Sequence, residues 1–478
     1  MLKFSSKHCQ KKLQSVAVLV VLIGALLRFW HLGEWSFWKD EVFMVLDAKQ
    51  LTVENSPINP IPYVAVKFSI ALAGDSEWGS RFIPCVIGIL SIPIILGLGK
   101  TLFNWRVGIL ASAFVAFSSW HLFWSQNARC SYIWTFLFAA LTAWFFYLSI
   151  ERDSTLLTFG AFLACSCLIL SHLLSAFMVP ALAVYAVLFL RSDSCSRKRR
   201  FNLLLFFGLF AIPILALAHP KVHGYLFSGW GLNLWSRSPL YIVLTLVQGV
   251  SIPIAVAAFF GGVTAPREHR EREGSPTVSF LSHRPTRFLV CYAGVPLLLF
   301  LIASQFQNVA GYYLFWTTPA YFLLAAVACE RLYVKLGGTF FGVLVPCILI
   351  LNLAAHDYLY FNVENGGRPK WRETFEVIRA HQIPTDKMVL SEPEMGRYYL
   401  TELEAIHIGE MLDNAEAFEK RWLSSEHRLW FVVDVGSFNV FDAKEKVREW
   451  IRRRGRMVRT FPTFSRAKDR TIHLYLLE

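Results

Sequence analysis

The sequence predicts a mostly α-helical fold: a polytopic transmembrane bundle of about 11 spans, with surface helices in its first outer loop and a small C-terminal α/β extracytoplasmic domain. Three observations predict it. Of 478 residues, 55% are hydrophobic and only 17% are charged, whereas a soluble chain carries about 25% charged residues. Long apolar runs recur as far as residue 356, with Lys and Arg gathered between them, the distribution expected of a membrane protein. From about residue 365 the apolar runs shorten and charge returns. The formal charge of +13 sits in loop clusters and not along one solvated face, which excludes a nucleic-acid binder. A soluble cytosolic enzyme is excluded with it.

A helix needs about 20 residues to cross the hydrocarbon. Runs that meet or approach this length fall near 13–30, 81–103, 107–124, 132–150, 155–171, 174–190, 201–219, 240–263, 287–304, 311–330 and 338–356. No small-residue cleavage site follows the first, so it reads as an anchor. Alternate loops hold the basic clusters, from Lys3, Lys7, Lys11 and Lys12 to Arg197–Arg200, then Arg267, Arg270 and Arg272. The positive-inside rule therefore places the N-terminus in the cytoplasm of a multi-pass plasma (inner) membrane protein. An odd number of crossings puts the C-terminal domain outside.

That domain, 365–478, follows the membrane domain 1–364 after the turn-forming Asn365-Gly366-Gly367-Arg368-Pro369. Residues 371–378 read as an amphipathic helix, and 387–390, 429–433 and 471–476 as short strands. Helical patterns near 413–424 and 441–453 lie between strands. The nine cysteines are scattered, none after Cys347, and Cys165-x-Cys167 inside an apolar run suits packed helices better than metal. No His, Asp or Glu cluster has metal-ligand spacing, so no metal and no cofactor are expected.

The chemistry concentrates in the first outer loop, about 31–80. It opens with Trp35-Ser36-Phe37-Trp38-Lys39-Asp40-Glu41, a carboxylate pair among aromatics directly after the first span. Acids held at a membrane surface need a partner or a task; helix N-terminal charge and a catalytic or substrate role are the two readings. Asn59-Pro60-Ile61-Pro62-Tyr63 and the residues to Lys67 suggest a helix entered by a rigid turn and lying on the membrane surface. Arg81 begins the second span. On the same side, Ser125-Gln126-Asn127-Ala128-Arg129-Cys130-Ser131-Tyr132 holds one full charge, Arg129. Its planar fork suits a phosphate; the alternative is a snorkelling Arg at ordinary lipid phosphate. His172, at an outer turn, is either a polar helix cap or a substrate contact.

Trp38-Lys39-Asp40-Glu41, the Pro-x-Pro-Tyr63 segment, Gly74 to Arg81, Ser125 to Tyr132, and Tyr312-Tyr313-Leu314-Phe315-Trp316 resemble the polytopic C-type glycosyltransferases. Within these the chain is similar to the protein mannosyltransferase and lipid A aminoarabinose transferase group. The resemblance implies transfer of a single sugar from a polyprenyl-phosphate carrier to a protein, lipid or glycan acceptor on the outer face. It places an acid of the first outer loop at the active site, here Asp40, with Glu41 beside it. Arg129, Lys67 and Arg81 are then the candidates for the lipid phosphate, with Tyr63, Tyr132 and His172 for the substrate. This chain has Asn59 where the family often has His, and Gly311 where it often has Arg. A transporter or flippase of lipid-linked precursors, and an inactive relative acting as an envelope scaffold, are the alternatives.

Overall fold

The computed structural model describes residues 4–192, 196–210, 224, 238–263, 283–306, 309–413, 415–422, 427–442, 445–465 and 468–478. In order, the first helices are α1 (Phe4–Phe29), α2 (Lys39–Lys49), α3 (Pro60–Ala73), α4 (Glu77–Leu102), α5 (Trp105–Ala116), α6 (Ser119–Ser125), α7 (Ser131–Glu151), α8 (Thr155–Ser171), α9 (Met178–Ser192) and α10 (Arg197–Leu209). Further helices at Pro239–Val250, Ile252–Val263, Arg284–Ala303, Thr318–Lys335 and Phe340–Asn362 complete the bundle.

The expected number of about eleven spans is not confirmed by the described residues. Among the described residues seven helices are long and apolar enough to cross a membrane, or up to nine if each of two bent pairs is one span. The two pairs have physical causes. Ser118 takes an extended conformation and caps His121 N, restarting the chain as α6 at 63° to α5. Ser251, at φ 77°, and Pro253 behind it turn the 239–250 and 252–263 helices through 98°, because proline supplies no N–H to continue a helix. Helix α8 has 17 residues and is too short to count. The predicted span 201–219 is helical to Leu209 with Phe210 as its cap, and residues 211–219, like Arg267, Arg270 and Arg272, lie outside the described residues.

The helices leave apolar faces open, among them Leu19, Leu22 and Leu26 of α1 and Leu298 and Ile302 of 284–303, as a lipid-facing surface does. Inside, α4 and α5 approach closely: a Cβ on Gly99 would stand 2.8 Å from Gly108 Cα, a small-residue contact typical of membrane helices. In the first outer loop α3 starts at its proline pair and exposes Val64, Phe68 and Leu72 on one stripe.

The C-terminal region is a five-stranded mixed sheet, ordered β2-β1-β3-β7-β4, where β1 is Lys387–Leu390, β2 Glu404–His407, β3 Leu429–Asp434, β4 Arg456–Phe461 and β7 Ile472–Leu477. A two-residue hairpin, β5 (Phe464–Ser465) with β6 (Lys468–Asp469), stands apart from it. β3 is buried along its length because both faces are covered. Met388, Trp430 and Leu474 pack in the same core as Trp371 and Phe375. Phe431, Val433 and Tyr475 pack on the other side with Phe418 and Ile451. Trp371 is a core residue stacked on Phe375, and half-buried Tyr399 stacks on Phe375 at the edge of that core.

Candidate active site

Helix α2 begins at Lys39, so Asp40 and Glu41 fall in its first turn, where negative charge is favoured by the helix dipole. Their environments then diverge. Glu41 is fully buried. Arg81 donates from Nε to Oε1 at 2.8 Å and from Nη2 to Oε2 at 2.9 Å. Arg368 Nε donates to Oε2 at 3.0 Å, and Ala128 N to Oε1 at 2.8 Å. The Trp38 N–H adds a capping contact at 3.3 Å. Burial alone would raise the Glu41 pKa, but the Arg368 and Arg81 charges win and hold it at about 2.

Both guanidinium groups are spent in this hub. Arg81 also donates to the carbonyls of Leu32, Trp35 and Ser36. Arg368 donates to Gly366 O, Gln126 O and the Tyr360 hydroxyl. Of the expected site residues, Glu41 and Arg81 therefore sit in a closed hub, where every strong hydrogen-bonding direction of each is used inside the protein. Lys67 is not brought to this hub: its Nζ donates to Leu51 O at 2.8 Å on the exposed side of α3.

Asp40 points the other way and pairs with Arg129 Nη1. The two side chains remain 22% and 27% exposed, so this pair is open to solvent where the hub is closed. Arg129 stands on a sharp turn fixed by Asn127, whose Oδ1 accepts from Arg129 N at 2.9 Å. Its Cζ lies 5.6 Å from the Tyr132 ring and 5.9 Å from the Trp38 ring, a cation–π arrangement. Burial opposes the Arg129 charge, yet Tyr132 and Asp40 outweigh it and raise its pKa above the ordinary value.

An aromatic wall surrounds the pair. Tyr132 lies 4.1 Å from Trp124, 5.6 Å from Tyr312 and 6.4 Å from Tyr313 between ring centroids. His172 caps α8 and lies 5.6 Å from Tyr132 and 5.0 Å from Tyr313. Burial first, and Arg129 second, push its pKa down to about 4, so the ring is neutral at pH 7. Tyr63, half-buried on α3, is within electrostatic reach of Asp47 and Arg129. Within this wall, the Tyr132 hydroxyl, His172 Nδ1, Trp124 Nε1 and Asn127 Nδ2 are buried without a hydrogen-bond partner. Buried polar atoms are rarely left so, and several around one open ion pair mark a place for a polar ligand.

Residues 56–216 match the family model described as Dolichyl-phosphate-mannose-protein mannosyltransferase. The fold superimposes on apo ArnT from Cupriavidus metallidurans with a TM-score of 0.60 at 14% identity, covering 96% of this chain and 97% of that one. The chain has the fold of the polytopic C-type glycosyltransferases. ArnT bound to undecaprenyl phosphate gives a TM-score of 0.57 at 13% identity, over 96% and 97% of the two chains. The archaeal oligosaccharyltransferase AglB from Archaeoglobus fulgidus, in complex with an inhibitory peptide and a dolichol-phosphate, gives 0.53 at 13% identity, over 89% of this chain and 69% of that chain. No curated protein sequence matches significantly.

Within this C-type fold Gly311 has a packing reason: a Cβ there would stand 2.6 Å from Thr245 Cβ and 2.9 Å from Ile242 O. Among the described residues no three His, Cys, Asp or Glu side chains form a group that could hold a metal ion. Two cations escaped sequence reasoning. In the sequence Arg368 reads only as part of a turn-forming linker and Arg470 is not singled out, yet Arg470 Cζ lies 5.7 Å from the Trp38 ring. No local spacing signals either contact, since each partner lies more than 300 residues away.

Proposed function

We propose that this chain is a membrane glycosyltransferase that moves a single sugar from a polyprenyl-phosphate carrier to a protein, lipid or glycan acceptor at the outer face of the membrane. The observation that carries the reading is the open Asp40–Arg129 pair ringed by buried polar atoms without partners. In this reaction the acceptor hydroxyl oxygen bonds to the anomeric carbon as the bond from that carbon to the phosphate oxygen breaks. The electron pair leaves with the polyprenyl phosphate, and the acceptor proton passes to Asp40. A carboxylate in this role contributes about 10²–10⁴-fold, and a cation at the leaving phosphate stabilises the charge that develops there.

Arg129 carries five N–H donors on a rigid fork, so an arriving phosphate competes with Asp40 for it and leaves the carboxylate free to take the proton. Tyr132, Tyr63 and neutral His172 would then hold the sugar or phosphate oxygens. The activated carrier supplies the driving force, so no further cofactor enters this scheme. The likeness in fold to ArnT and AglB and the family match over 56–216 support it.

The test is to incubate the purified full-length protein with a panel of polyprenyl-phosphate sugars and outer-envelope acceptors, and to follow released polyprenyl phosphate. Release coupled to acceptor glycosylation is expected for one donor. Lipid movement across vesicles with no sugar transfer would instead support a flippase, a reading that the 98° bend at Ser251 would suit.

A further inference from the structure

Arg470 follows the β5–β6 hairpin, which is held closed where its own N–H donates to Thr463 O at 2.9 Å. The neighbouring Thr471 N–H donates to Asp469 Oδ1 at 2.9 Å. From this anchored position the Arg470 side chain leaves the C-terminal region and reaches the first outer loop. Its Cζ is 5.7 Å from the Trp38 ring centroid, and Arg129 Cζ is 5.9 Å from the same ring. Two guanidinium groups from opposite parts of the chain thus share one indole.

Arg470 Nε is buried and has no hydrogen-bond partner. The carboxylates that act on Arg470 are Asp434 and Asp40, and Arg368 opposes them. Asp434 is already engaged: its oxygens accept from Gly436 N, Ser437 N and the Ser437 hydroxyl. Beside Trp38, then, stand two guanidinium groups: Arg129, paired with Asp40, and Arg470, whose Nε–H has no acceptor. A buried guanidinium N–H without an acceptor is costly, and an anion relieves it.

We propose that Arg470 is a second ligand for the phosphoryl group of the lipid donor, completing from the C-terminal region the anion site that Arg129 begins. This rests on the reading of the Asp40–Arg129 site given above. The chemistry is that of a phosphate monoester or diester on an apolar tail: charge-assisted N–H bonds from two guanidinium planes, both beside Trp38. The C-terminal region is then part of the donor site.

The test compares undecaprenyl phosphate with undecaprenol, its uncharged counterpart, as probes for the full-length protein in nanodiscs. The parent is expected to prefer the phosphate, and Arg470→Ala to cut that preference about tenfold or more, with Arg470→Lys recovering part of it and binding of undecaprenol unmoved. A structural role would weaken both lipids together and lower the melting temperature, and that result overturns the inference. Preference kept in Arg470→Ala but lost in Arg129→Ala also overturns it, while the Asp40–Arg129 site stands. No preference in the parent removes the reading beneath both.

Discussion

Glu41 takes hydrogen bonds from two guanidinium groups and two backbone N–H groups in a space with no access to water. Removing one member of such a buried network leaves the others unpaired, at a cost of about 3–5 kcal/mol. Glu41→Gln is therefore expected to lose stability on that scale and to melt well below the parent in a thermal-unfolding scan; an unchanged melting temperature contradicts the hub. The pH response follows. The Glu41 pKa is depressed from 4.5 to about 2 on folding, so its contribution is complete above 4.5 and is lost as pH falls toward 2. The parent should lose stability across that window, and Glu41→Gln should lose less there. At this scale the sequence singles out Asp40 and Arg129, because each is a charge in a short loop segment at the end of an apolar span, and the structure brings the two side chains together. The division of labour between Asp40 and Glu41 was not legible in the sequence. It depends on Arg368, which reaches Glu41 from 327 positions away, and on the direction each carboxylate takes from the first turn of one helix.

The segment Asn365-Gly366-Gly367-Arg368-Pro369 acts as a strut between elements. Pro369 O accepts from the Ser36 hydroxyl at 2.8 Å, and the Trp371 N–H donates to the same hydroxyl at 3.0 Å. Tyr399 adds a second tie: its hydroxyl accepts from Phe37 N at 2.6 Å and donates to Glu77 Oε1 at 3.1 Å. Lys39 joins Glu392 at 2.9 Å. Gly366 makes the turn possible, at φ 60°, with Trp35 so close that a Cβ would stand 2.4 Å from its ring. Gly366→Ala is expected to cost about 1–3 kcal/mol and to raise hydrogen exchange in residues 365–371; exchange equal to the parent's contradicts the strut. Turn chemistry made the segment readable as a break in the chain, but a glycine pair looks the same in a loose linker and in a locked turn. The bends at Ser118 and Ser251 were hidden for a similar reason, since hydropathy runs unbroken through both. Strands β1, β3 and β7 were visible as apolar runs. β4 was missed because four of its six residues are exposed and its sequence reads as charged surface.

Across the whole molecule, the first outer loop and the C-terminal region meet at one site, so both belong on the same side of the membrane. In the orientation proposed from the positive-inside distribution, that side is the outside. A cysteine introduced at Val53, which is 95% exposed, is expected to react with a membrane-impermeant maleimide in intact cells, beyond any labelling of the parent chain. Labelling only after permeabilisation reverses the orientation and with it the outer-face chemistry. The arrangement also explains why the fold class was legible from composition and the number of spans was not: composition counts apolar residues, whereas a span requires them in one straight helix.

The most direct measurement is sugar transfer by Asp40→Asn in the purified full-length protein, with undecaprenyl phosphate binding measured on the same preparation. Turnover is expected to fall by about 10²–10⁴-fold while the carrier still binds. Turnover equal to the parent's would show that the proton leaves by another route and that Asp40 is not the base.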